Sequence, residues 1–110
     1  MTASEAERTT KDMLAVHGIL DWIVTVGAQE FVEKPVRFGL TSYRRRTIFL
    51  NSRYLDDDAE MQRTIEHEVA HVLSDGDEQH GEAFQAALAG LKPLRFVDFG
   101  PQGEPLFERM

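Results

Sequence analysis

The stretch His67-Glu68-Val69-Ala70-His71, with His80-Gly81-Glu82-Ala83-Phe84 beginning nine positions after His71, decides how this chain is read. On a helix, residues four apart differ by only about 40° around the axis, so the imidazoles of His67 and His71 can reach one metal ion. Glu68 falls beside them. It is close enough to hydrogen-bond a water on that metal and poorly aimed to ligate it, which is the position of a general base. The flanking residues predict the helix itself. Asp56, Asp57 and Asp58 supply acidic caps at its start, near Asp57. Ile65, Val69, Val72 and Leu73 recur at i, i+4, i+7 and i+8 and form a core-facing stripe that runs to Ser74.

A catalytic zinc commonly takes three protein ligands and leaves a fourth place for water, so one more donor is needed. His80 is the first candidate, at the start of a second helix expected over Gly81 to Leu91. The competing reading of His80 is a surface helix cap. Asp75, Asp77, Glu78 and Glu82 are the alternative ligands, but they are read first as solvating the loop or accepting a hydrogen bond from the second nitrogen of a ligating imidazole. The run Asp75 to Gln79 is a turn by composition. Phe84, Ala87, Leu88 and Leu91 share one side of the second helix, and Lys92-Pro93 stops it.

Working outward, Pro35 marks a break, after which Val36, Phe38 and Leu40 alternate with Arg37, Gly39 and Thr41 as in a half-buried strand. Thr47 to Leu50 predicts a second strand. The polar Ser42 to Arg46 between them predicts an antiparallel hairpin with Arg44, Arg45 and Arg46 at its tip. Further upstream, Glu5 to Ile23 reads as a helix with Met13, Val16, Leu20 and Ile23 on one face. The apolar, β-branched run Trp22 to Val26 equally suits a strand, so this boundary stays open. His17, beside Gly18, is read as a structural residue and Trp22 as a core anchor. Residues 1–10 are expected to be flexible and 94–110 an irregular tail, in which Leu106 and Phe107 fold back or meet a partner.

Composition narrows the function classes. A length of 110 residues with 42% apolar side chains predicts one domain, 1–110, with one modest core. The formal charge of -7 disfavours broad binding to nucleic acid or anionic lipid. Cysteine is absent, so metal binding falls to His, Asp or Glu. Met1 to Thr10 lack a signal-peptide core, and the apolar stretch Ile19 to Ala28 is short of the roughly 18 residues of a membrane span. A cytoplasmic protein without membrane contact is the expectation.

The segment Thr64 to Leu73, followed by His80-Gly81-Glu82-Ala83-Phe84, resembles the SprT-like zinc metallopeptidases, whose pattern is HExxH, a short loop, then HGxxF or HGxxW. His17 to Trp22 resembles the family's opening helix, and Phe38-Gly39 through Ile48-Phe49-Leu50-Asn51 its hairpin. The similarity spans roughly Met13 to Leu88. It implies an α+β, minimal zincin-like domain: an N-terminal helix, a small antiparallel sheet or hairpin, the HExxH helix and a following helix. It implies Zn²⁺ held by His67, His71 and His80, with Glu68 catalytic. It also implies a protein or peptide substrate extended along an edge strand, for which Thr47 to Asn51 is the candidate because it directly precedes the metal helix; an ordinary core strand is the other reading of that segment, and the two are compatible. The oxyanion-stabilising group is left open among Tyr43 and the hairpin arginines, with packing against the sheet the other reading of Tyr43.

Many relatives carry a cysteine zinc ribbon or further nucleic-acid-binding segments, and these 110 residues contain neither. Arg37, Arg44, Arg45, Arg46 and Arg53 are therefore read first as a solvated turn and second as a contact for DNA. The function expected is a zinc metalloendopeptidase. Two alternatives stand beside it: a regulatory peptidase acting on one partner protein, and a non-catalytic zinc-binding module.

Overall fold

The computed structural model describes residues 1–74 and 80–91. The first helix, α1, runs from Ala3 to Val16. It starts two residues before Glu5 because Thr2 and Glu5 form a reciprocal capping box. It stops at Gly18, whose φ of 81° only glycine adopts freely. The Gly18 amide donates to the Ala15 carbonyl and the Ile19 amide to the Leu14 carbonyl, each at 2.9 Å, the double closure that ends a helix on a left-handed residue. The open boundary is thereby decided. Residues Ile23–Gly27 form strand β1, and Leu20 and Ile23 lie exposed instead of continuing the helical face of Met13.

The expected hairpin is present, with β2 at Gly39–Ser42 and β3 at Thr47–Asn51 paired antiparallel. β1 joins β3 on its other side and runs parallel to it, in register from Ile23↔Thr47 to Gly27↔Asn51. The order β1-β3-β2 makes β3 the central strand. This corrects the expectation that Thr47 to Asn51 is the substrate edge: every residue of β3 is buried and both its edges are taken. The edge beside the metal helix is β2.

Helix α2, Asp58–Leu73, lies across the sheet face that carries Val24, Ile48 and Leu50. Its amide end is capped by Asp57, which accepts from the Glu60 amide. Met61, Ile65 and Val69 project from one side of α2 into a core shared with Ala6, Met13 and Leu14 of α1. The opposite sheet face is covered in part by the short turn Gln29–Phe31, where Phe31 is buried. Helix α3, Glu82–Ala89, packs on α2. The turn expected over Asp75 to Gln79 and the tail 94–110 lie outside the described residues.

Candidate metal centre

His67 and His71 stand one turn apart on α2, and their Nε2 atoms are 3.2 Å from each other. His80 Nε2 lies 3.1 Å from His71 Nε2. Nitrogens about 2.0–2.1 Å from one tetrahedral zinc are about 3.3 Å apart, so these spacings fit a shared ion. Among the described residues the group able to hold a metal is this histidine triad. His17 ends α1 on another element, and Glu82 is exposed at the start of α3 outside the triad. Asp75, Asp77 and Glu78 lie outside the described residues.

His80 reaches the site through an uncommon backbone, with φ of 56°, a left-handed conformation costing about 1 kcal/mol in a non-glycine residue. That cost is offset by packing below the triad. The Phe84 ring, 2% exposed, touches all three imidazoles, with centroid distances of 4.9 Å to His67, 4.6 Å to His71 and 4.7 Å to His80. Phe84 was legible only as an apolar helix position. Its role is to carry α3, and with it His80, against the end of α2. Burial, followed by the nearby His80, lowers the pKa of His67, which favours the neutral imidazole a metal requires.

Glu68 is 6% exposed, at the floor of a groove of about 950 Å³ that runs between β2 and α2 toward the histidines. Burial pushes its carboxyl up to about 7, against the hydrogen bond from Thr41 and the charge of Arg37, which both pull it down. Thr41 Oγ1 donates to Glu68 Oε1 at 2.7 Å. Two positions earlier, Gly39 faces the same carboxyl, and a Cβ there would sit 3.1 Å from Glu68 Oε2 and 2.8 Å from Thr64 Cγ2. Both contacts escaped the sequence reading. An isolated glycine inside a strand pattern is the signal for such a close approach.

The outer wall of the groove is tied down by Asn51. Its Nδ2 donates to the carbonyls of Pro35 and Arg37 at 3.1 and 2.8 Å, and its Oδ1 accepts from the Arg53 amide. The Asn51 amide itself donates to Phe38 O. Bonded pairs then recur at Leu40 and Ser42, which leaves the N–H and C=O of Gly39 and Thr41 directed to the open edge of β2. Of the hairpin arginines, Arg45 pairs with Glu30 at 3.4 Å and lies over the Phe49 ring, and Arg46 pairs with Asp21 at 2.6 Å. No described helix is long and apolar enough to cross a membrane.

Comparison with known proteins agrees with this arrangement. The model of the SprT-like family matches residues 31–98. The match takes in the hairpin, α2, α3 and all three histidines, and leaves out His17 to Trp22. The crystal structure of the metallopeptidase zymogen jannalysin, from Methanocaldococcus jannaschii, superimposes with a TM-score of 0.59 at 16% identity, covering 94% of this chain and 86% of that one. At that identity the likeness speaks for a shared fold. No functionally curated protein matches the chain. Because the family match spans more than half of the sequence, this protein belongs to the SprT-like family.

Proposed function

We propose that this protein is a zinc-dependent endopeptidase that hydrolyses peptide bonds in segments laid along the free edge of β2. The observation that carries the reading is the buried Glu68 carboxyl on the groove floor, adjoining three convergent imidazoles. His67, His71 and His80 would hold the ion. When bound, zinc supplies Lewis acidity, acidifying a water and polarising a carbonyl.

The remaining work belongs to the chain. The open N–H and C=O groups of Gly39 and Thr41 add an extended peptide as a further strand, which fixes its backbone over the site. Glu68 accepts a proton from the attacking water and returns it to the leaving amine. Its raised pKa suits that exchange near neutral pH.

The module reading is less well supported. A structural zinc site is closed by four protein ligands, and three donors converge among the described residues. A peptidase that cuts a single partner uses the same geometry, and would give narrow cleavage of a whole lysate. In this reading the hairpin arginines are solvated charge, with Arg45 and Arg46 engaged by acids of their own chain.

The test is cleavage of fluorescein-labelled casein by the zinc-loaded chain beside Glu68→Gln. The variant is expected to keep zinc and fold while losing at least about 10²-fold in rate, the usual share of a general base. A variant as active as the wild type sinks the proposal.

A further inference from the structure

The proton transfer assigned above to Glu68 depends on where its carboxyl points, and the groups that aim it are on β2. The Thr41 hydroxyl lies 2.7 Å from Glu68 Oε1 and 3.3 Å from the Glu68 main-chain oxygen. A hydroxyl carries one proton, and the shorter contact, to a carboxylate-type acceptor, is the stronger bond. On the other side of the same carboxyl, Gly39 presents bare backbone, and any Cβ there would press on Oε2 from 3.1 Å. One oxygen is therefore held by a donor, and the other occupies space that a side chain at position 39 would take. Rotation about the last side-chain torsion of Glu68, which is soft for a free carboxylate, is restricted from the strand side.

The two residues that do this, Gly39 and Thr41, are the ones whose backbone groups face the open edge of β2. Two further polar groups near the base act in other ways. Tyr43 is committed to the His71 carbonyl, and Arg37 acts on Glu68 through charge.

Resting on the peptidase reading, we propose that Thr41 is the positioning residue for the general base: its hydroxyl locks the Glu68 carboxyl to the strand on which the peptide lies. Base and scissile bond are then registered by a single element, and a substrate that pairs with β2 meets a carboxyl already aimed. Thr41 touches neither the metal nor the reacting atoms, so its contribution falls on turnover and leaves peptide affinity in place.

The experiment uses the zinc-loaded full chain and a quenched-fluorescent peptide that the wild type cleaves. Thr41→Val keeps the shape and removes the donor. It is expected to lower kcat by about 10- to 100-fold with KM changed less than about twofold, as for a misaimed catalytic group. Thr41→Ser restores the donor and is expected to return kcat to within about threefold of wild type. Zinc content is expected to be unchanged in both. Wild-type kcat in Thr41→Val overturns the inference, as does a Ser variant no better than Val.

A second reading is independent of activity. Melting temperatures of Thr41→Val, Glu68→Leu and the double variant are expected to be non-additive, because each single change breaks the same bond. Additive shifts overturn the inference. If the zinc-loaded wild type cleaves no peptide, the peptidase reading falls and this one with it. If the wild type cleaves and Thr41→Val matches it, this one falls alone.

Discussion

The hydroxyl of Tyr43 donates a 2.7 Å hydrogen bond to the main-chain oxygen of His71. That oxygen belongs to the last turn of α2, and Ser74 Oγ also donates to it at 3.2 Å. The hairpin turn is thereby pinned to the backbone of one of the three convergent histidines. Trp22 braces the Tyr43 ring edge-on, with centroids 6.0 Å apart.

Tyr43→Phe is accordingly expected to cost about 1 kcal/mol, since the Ser74 bond persists when one neutral donor is lost. Urea unfolding of the variant checks the size. Zinc content and kcat are expected to stay near wild type. A large fall in kcat at unchanged stability would instead assign the hydroxyl to the developing oxyanion, the other role considered for Tyr43.

The buried Glu68 carboxyl makes metal-free stability depend on pH. Its folded pKa of about 7 lies above the ordinary 4.5, so between these values the unfolded chain has released a proton that the folded chain retains. Stability therefore falls as pH rises through that window and levels off above it. The full effect is on the order of 3 kcal/mol by the usual conversion of a pKa shift to free energy. Unfolding of chelator-treated protein at pH 5 and pH 8 measures it, and Glu68→Gln is expected to abolish this component. Equal pH dependence in wild type and variant would place the effect elsewhere.

Zinc is expected to bind at one ion per chain and to raise stability by mass action, by about 2.7 kcal/mol at a hundredfold excess over Kd. His80→Ala is expected to lose both the ion and the stabilisation, with the metal-free fold retained because His80 is exposed and adds little to the core. Elemental mass spectrometry and melting with and without chelator read the two effects. Zinc kept by His80→Ala would move the third ligand to an acidic neighbour.

How far the chain could be read follows from the range of the forces involved. The α2 start at Asp57, the hairpin around Arg44 to Arg46 and the i, i+4 pair His67 and His71 depend on contacts within a few residues, and each stands where the sequence puts it. His80 is legible from the need for a third donor and from its place nine residues after His71 at the start of the next helix, and the family pattern adds to that reading. The end of α1 was open between two readings, and Gly18 decided it by taking a positive φ. The sheet edge was misplaced for a different reason. Proximity to α2 in sequence points to β3 as the edge, whereas its run Thr47-Ile48-Phe49-Leu50-Asn51 shows the continuous burial of a strand covered on both faces.

By itself, then, the sequence located the helix that carries His67 and His71, the convergent His80, the Glu68 carboxyl beside them and the family, all of which rest on local periodicity and motif spacing. The tertiary structure alone decided that β1 pairs with β3, that β2 is left as the open strand, and that Thr41 and Gly39 close around Glu68. Those relations join positions 20 or more residues apart, where loop closure and burial select the partner and no local preference records the choice.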